Sequence, residues 1–370
     1  MPLVVDLKNG LLRSAHNFLS TRTESKYHFL FITTNNLICQ SQIFPFYYFK
    51  KELFRKIGIT FSEVDIDKYT SGDWRSKRQP DLIFYQPWFN RSKEELQQTL
   101  AKIKKENPSS QIVFLDSYAP LDLRFAETVD PIIDVYVKKH VFRDRSRYGQ
   151  PTLGDTNLVD YYGNLYKLDY PQTTFNIPAG FLDKLVVGTG FESSKRILPF
   201  IQQPTQPAAT NRTIDIHARL GGFGVDWYGR MREQALHNIN DLGGVNILVG
   251  ADVQYHQYIE EMRKSKMCFS PFGFGEVCWR DFESMMCGAL LIKPDMQHVE
   301  TRSNIFREYE TYIPVKWDFS DLQEKVHIYL ADEAKRTQIT RNAYAALQNS
   351  ITPDCFLTLI NAILITARLH

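Results

Sequence analysis

The run KMCFSPFGFGEVCWRDFESMMCGALLIK, residues 266–293, reads as strand, turn, helix and strand in direct succession. Lys266 to Ser270 is short and apolar, and Pro271, Gly273 and Gly275 make a turn that carries Glu276. A helix follows from near Cys278 through Met286, Gly288 stops it, and Ala289 to Lys293 is a second apolar strand. Strands apolar on both faces and separated by a helix belong to a parallel sheet covered on both sides. Arg280 and Glu283 are three apart on the helix, so they share a face. Backbone N–H groups and the dipole at such a helix start attract an anion, and Arg280 adds a fork suited to phosphate. Glu283 can accept hydrogen bonds from a sugar diol. An Arg–Glu pair on a solvated helix face would leave the glycine-rich turn unexplained.

The same rhythm extends in both directions. Toward the amino end lie strand-like Thr213 to Ala218 and Val245 to Val249, with helices Asp226 to Asn238 and Asp252 to Lys264; a short strand, Tyr312 to Val315, and helices Ser320 to Ala331 and Ala334 to Gln348 follow. The first half repeats the pattern: strands Tyr27 to Thr33, Thr60 to Ile66, Asp81 to Tyr85, Gln111 to Leu115 and Ile132 to Val137, and an amphipathic stretch from Ile43 to Ile57. Ser92 and Glu95 have capping-box spacing at the head of a helix to Glu106. Between about 143 and 212 the pattern weakens among prolines, ending in the polar run Gln202 to Arg212, where a linker is expected. The expectation is an α/β protein of two Rossmann-like domains facing across a cleft: residues 1–200, residues 212–348, and a C-terminal helix, 349–370, packing back toward the first.

Composition bounds the function. Lys and Arg number 44 against 42 Asp and Glu, a net charge of +2, so the chain lacks the cation surplus of a non-specific nucleic-acid binder. The 43% hydrophobic content is too high for a disordered chain. Five widely spaced cysteines without a CxxC pair argue for a reducing compartment and against a disulfide framework or structural zinc. The first residues lack the form of a secretory signal. The longest apolar stretch, Cys355 to Ala367, falls short of the ~20 residues that span a bilayer. A cytoplasmic protein without a transmembrane segment is expected.

A second glycine-rich turn, His217-Ala-Arg219-Leu-Gly221-Gly222-Phe-Gly224, follows the first strand of the second half; small residues let backbone approach a phosphate, and Arg219 supplies charge. Arg230 and Arg232 lie on the next helix. Two other patterns are set aside. Gly188-Thr-Gly190-Phe-Glu-Ser193 imitates a dinucleotide fingerprint but has Ser for the third Gly and no well-placed acidic residue. Asp65-Ile-Asp67 is a frequent tripeptide, and a metal-dependent single domain would not explain the second half. The basic run Lys138-Lys139-His140, with Arg143, Arg145 and Arg147, suits either a solvated loop or an anionic ligand.

Residues 213–345, through SPFGFGE, Arg280, Glu283 and CGALLI, resemble the donor-binding segment of GT-B glycosyltransferases, closest to the exostosin-like and spore-coat-type bacterial enzymes of polysaccharide biosynthesis. The resemblance implies a nucleotide-diphosphate sugar as co-substrate, with Arg280 on the diphosphate and Glu283 on the ribose. The retaining pattern has two Glu eight apart; Glu276 and Glu283 are seven apart, which favours inversion. Donor binding is expected from Arg219, Gly222, Arg230, Glu276, Arg280 and Glu283. A glycan or small-molecule acceptor, and no nucleic acid, should meet the first half's strand ends at Thr34, Asn35, Gln86 and Ser117. The general base is expected to be Asp116, with Asp122 and His140 next. With arginines and a helix start on the diphosphate, neither a metal nor another cofactor is required.

Overall fold

The computed structural model describes residues 25–202, 211–222 and 224–369. The opening stretch read for a secretory signal, and residues 203–210 of the expected linker, lie outside the described residues. In chain order the first half contributes β1 (Tyr27–Thr33), β2 (Ile59–Asp65), β3 (Leu82–Gln86), β4 (Gln111–Asp116), β5 (Val135–Lys138), β6 (His140–Phe142), β7 (Thr152–Leu153), β8 (Gln172–Thr173) and β9 (Leu185–Val187). The second half contributes β10 (Ile214–Ala218), β11 (Ile247–Val249), β12 (Ser265–Phe269), β13 (Leu290–Pro294), β14 (Val299–Thr301) and β15 (Ile313–Val315). One sheet runs β2-β1-β3-β4-β5-β9, the other β11-β10-β12-β13-β15, and every pairing within them is parallel.

All seven residues of β1 and all five of β3 and β13 are buried, as strands covered by helices on both faces require. Between β1 and the helix Leu37–Tyr48, Phe31 stacks on Phe84 at 4.7 Å and Phe46 meets both edgewise. The helix Lys93–Glu106 starts at the anticipated capping box, with Ser92 N–H donating to Glu95 at 2.8 Å and Glu95 N–H to Ser92 Oγ at 3.2 Å. The amphipathic stretch from Ile43 to Ile57 falls in two helices, Leu37–Tyr48 and Lys50–Ile57, and the first starts earlier because Asn36 caps it by accepting from Ile38 N–H.

The weakly patterned region after residue 143 is the main departure. Leu185–Val187 joins the first sheet as its edge strand, and the helix Asn157–Tyr166 lies against Trp227–Asn240 of the second domain. Tyr162 stacks with Trp227 and Trp317 and donates its hydroxyl to the Trp317 carbonyl at 2.8 Å. The basic run is not a free loop. β6 pairs antiparallel with β14 across the domains, Arg143 donates to the carbonyls of Gln297 and Val299, and Arg145 pairs with Glu300 at 2.9 Å. At the other end Phe356, on the helix Pro353–Thr366, packs edgewise on Phe46 at 4.9 Å, and Asp354 meets Lys56 at 2.5 Å. Burying such a phenylalanine contributes ~1.5–3 kcal/mol. Among the described residues no helix is long and apolar enough to cross a membrane.

Candidate active site

Two parallel sheets present the carboxyl ends of their strands to a shared cleft, where ligands of open α/β folds bind. On the first domain's side those ends are sealed by polar networks. Asp116, the last residue of β4, is 3% exposed. Its register partner Lys138 donates at 2.5 Å, the Tyr136 hydroxyl at 2.7 Å and Tyr118 N–H at 2.8 Å. Gln86 accepts from Thr33 and donates to Gln42 and the Cys39 carbonyl, and Ser117 is buried against Cys39. Asp122 accepts two bonds from the Arg124 guanidinium, at 2.7 and 2.8 Å, and one from its backbone N–H at 3.1 Å. Asp116, Asp122 and Gln86 are held by partners that fold the strand ends. Thr34 and Asn35 remain accessible after β1, Asn35 the more so.

His140, at the start of β6, is 2% exposed, and its Nε2 lies 2.8 Å from the Ala119 carbonyl. A carbonyl only accepts, so Nε2 carries the proton and Nδ1 is left as an acceptor. Burial, reinforced by the charge of Lys139, pushes the imidazole down to about 3, so it is neutral at ordinary pH. Gly275 presses on the same carbonyl from the second domain: a Cβ there would stand 2.2 Å from the Ala119 oxygen, so only glycine closes the contact.

On the second domain's side the chemistry is less occupied. The helix Trp279–Cys287 is aimed by Asp281, which accepts from Ser270 Oγ at 2.7 Å and Cys278 N–H at 2.8 Å and lies 3.1 Å from Lys293. Sequence reasoning passed over Asp281; an acidic residue three beyond the cap, with a lysine in an otherwise apolar strand, is the signal for it. Partly buried Arg280 follows, donating to the Arg219 carbonyl and, at 3.4 Å, to the Tyr258 hydroxyl. Among the described residues no carboxylate lies within ion-pairing distance of it. Buried His217 is its neighbour, held down to about 4 by burial and the charges of Arg280 and Arg219. Neither His217 ring nitrogen has a hydrogen-bond partner among the described residues. Glu283 is buried beneath Tyr255 and Tyr258; burial pushes its carboxyl up, opposed by Arg280 and Arg196.

Two expected donor residues are placed differently. Arg219 is engaged by Glu261 through two bonds, at 2.8 and 2.9 Å, so it offers its backbone rather than its charge. Arg230 is exposed, whereas Arg232, 200° further round the helix, is buried and donates to the Phe272 carbonyl at 2.8 Å. Gly222 has φ +87° beneath the Tyr228 ring, where a Cβ would come within 2.5 Å.

Glu276 is fully buried in the turn after β12, and neither oxygen has a hydrogen bond of normal geometry among the described residues. His298 Nε2 stands 3.7 Å away, and both amide atoms of buried Asn157, at the head of the helix Asn157–Tyr166, are likewise unsatisfied. Burial pushes the Glu276 carboxyl up, but His298, His140 and Asn157 together hold it below its ordinary value, so it is ionised. Buried polar groups are nearly always paired, so such a concentration of unpaired ones marks a place for polar substrate groups. Asn157 and His298 carry no motif; only the folded chain brings them to Glu276.

Residues 205–358 match the family described as glycosyl transferase-like. No curated protein matches the chain in sequence. Among solved structures, a glycosyltransferase from Rickettsia africae is 11% identical, with 93% of this chain and 99% of that one superposed at a TM-score of 0.52. An alpha-glucosyltransferase in complex with UDP is 12% identical over 91% of this chain and 100% of that one, TM-score 0.50; the same enzyme with UDP-glucose and DNA containing an abasic site gives 0.51 over 92% and 100%. At these identities the likeness is one of fold, while the family match covers the segment built around Arg280 and Glu283. The chain has the two-domain fold of these GT-B glycosyltransferases, and its residues 205–358 are glycosyl transferase-like.

Proposed function

We propose that the protein moves a sugar from a nucleoside-diphosphate sugar to a hydroxyl of a glycan or small-molecule acceptor. The observation that carries this reading is Arg280: a guanidinium at a helix start, without a carboxylate partner among the described residues, four residues beyond the ionised and unpaired Glu276. Arg280 and the N–H groups at that helix start take the diphosphate charge as the leaving group departs. That supports a transfer needing no divalent cation. Glu283, beneath the tyrosines, is placed for the ribose hydroxyls. UDP in the alpha-glucosyltransferase supports a uridine nucleotide as the first donor to try.

Inversion is the first reading, with Glu276 rather than Asp116 taking the acceptor proton and His298 steadying the carboxylate. Retention is the second; the observation favouring it is that both first-domain carboxylates expected as bases are held by cations. The free thiols of all five cysteines support a reducing compartment. The test is incubation with a panel of sugar nucleotides, measuring released nucleotide with and without EDTA and reading the product's anomeric configuration by NMR. No release from any donor would overturn the reading, and activity abolished by EDTA and restored by Mn²⁺ would overturn metal independence.

A further inference from the structure

The mouth of the cleft is framed by aromatic rings from both domains. Trp88 and Phe89 follow β3 with their rings 4.5 Å apart, and Phe89 is 5.5 Å from Tyr118, which follows β4. Opposite them Phe274 stacks on Tyr228 at 4.4 Å and 16°. The Gly275–Ala119 contact fixes the two groups to one point, since Phe274 and Tyr118 are the chain neighbours of the touching residues. Phe274 is 64% exposed and Phe89 48%. Large rings left in water from two sides of one opening form a surface that a partner covers.

The charges around the rings decide what kind of partner. Arg91, two residues beyond Phe89, is paired with Asp67 at 2.5 Å and Glu95 at 3.5 Å. Arg124 stacks on Tyr118 at 4.1 Å, but is paired with Asp122 at 2.7 Å and Asp155 at 3.0 Å. A nucleic-acid strand draws its affinity from cations free to neutralise phosphates; the two arginines on the first domain's side are already neutralised, and Arg232, 4.9 Å over the Tyr228 ring, is buried and donates to the Phe272 carbonyl. A sugar ring presents weakly positive C–H groups on one face and hydroxyls on its rim. The former suit the negative face of an aromatic ring, and the latter suit the flanking carboxylates and amides.

We propose that these aromatic lips bind the acceptor, and that the acceptor is an uncharged oligosaccharide whose rings stack on Phe89 and Phe274. This rests on the glycosyl-transfer reading and supplies its acceptor class. The test is calorimetric titration of the full chain, loaded with the nucleoside diphosphate that binds it, with neutral oligosaccharides of glucose, N-acetylglucosamine, galactose and mannose units. A short DNA duplex is titrated in parallel at two salt concentrations. Transfer assays then use the oligosaccharide that binds. The expected result is oligosaccharide binding weakened about tenfold or more in Phe89→Ala and Phe274→Ala, the scale of one ring contact, with rescue by Phe89→Trp. The loss should appear in acceptor KM, with kcat and nucleotide affinity close to wild type. Absence of binding to every oligosaccharide, unchanged binding in both alanine variants, or salt-sensitive binding to DNA instead would each overturn the proposal. Failure of the glycosyl-transfer reading looks different: no nucleoside diphosphate would bind and no sugar nucleotide would be turned over.

Discussion

Asp116 and Glu276 occupy matching places, each a buried carboxylate at the carboxyl end of an inner strand, β4 in one domain and β12 in the other. Asp116 has an ammonium, a phenol and a backbone N–H within 2.8 Å, while Glu276 has an imidazole at 3.7 Å and no hydrogen bond among the described residues. A carboxylate with its lone pairs filled holds strands together. One left ionised and unpaired in the interior costs several kcal/mol and persists where substrate groups complete it. Position in the sheet makes the two alike, and their surroundings separate structure from chemistry.

The contrast breaks most decisively through Glu276→Gln. Turnover of a sugar nucleotide should fall by ~10²–10⁴-fold, the contribution of a positioned acid–base group, with the urea midpoint unchanged or raised. Full activity in that variant would put Glu276 among the structural carboxylates. Asp116→Asn should do the reverse, lowering stability by ~3–5 kcal/mol because Lys138 is left buried without its anion. Urea unfolding reads this directly, and a midpoint equal to wild type would remove the distinction.

Arg280→Ala sharpens the donor side. Losing a charge-assisted contact should weaken nucleoside-diphosphate binding by ~1.5–3 kcal/mol in a calorimetric titration, whereas Arg230→Ala, on the solvent face, should change it by less than about 0.5 kcal/mol. Equal effects at the two positions would contradict the assignment of the helix faces.

Acid tests the histidines around both centres. An unfolded-chain histidine titrates near ~6.5, while His217 and His140 are pushed down to about 4 and about 3. Below ~6.5 the unfolded chain therefore binds more protons than the folded one, so stability falls as pH drops from about 6.5 to about 4 and, through His140, on to about 3. Each histidine adds a slope of up to ~1.4 kcal/mol per pH unit inside its window. Urea midpoints at pH 7, 5.5 and 4.5 should decline in wild type and decline less in His217→Gln; a flat series would show that these rings are protonated in the fold.

Much of this was legible in the sequence where chemistry is local. Alternating apolar runs gave both sheets, Ser92 and Glu95 gave a cap, and the glycine turn before Arg280 gave the helix Trp279–Cys287. What escaped depends on contacts across the fold. Asp116 looks like a free strand-end acid until β5 brings Lys138 beside it, and Arg230 and Arg232 differ only in which side of their helix the core takes. Residues 143–170 lack periodicity because their aromatic side chains pack against the second domain rather than along one sheet. Glu276, His298 and Asn157 come from three separated segments, so no spacing rule could assemble them.

The ladder between β6 and β14 has a consequence for how the halves part. Val299, Glu300 and Thr301 lie opposite Phe142, Val141 and His140, and Arg143 ties down the preceding turn. Backbone pairing of this kind bends and twists readily but does not stretch, so along this edge the halves behave like the covers of a book at its spine. The Gly275–Ala119 approach lies beside this spine, because the Ala119 carbonyl is also the partner of His140 Nε2 at 2.8 Å. His140, Ala119 and Gly275 are thereby held near the line that moves least when the halves part.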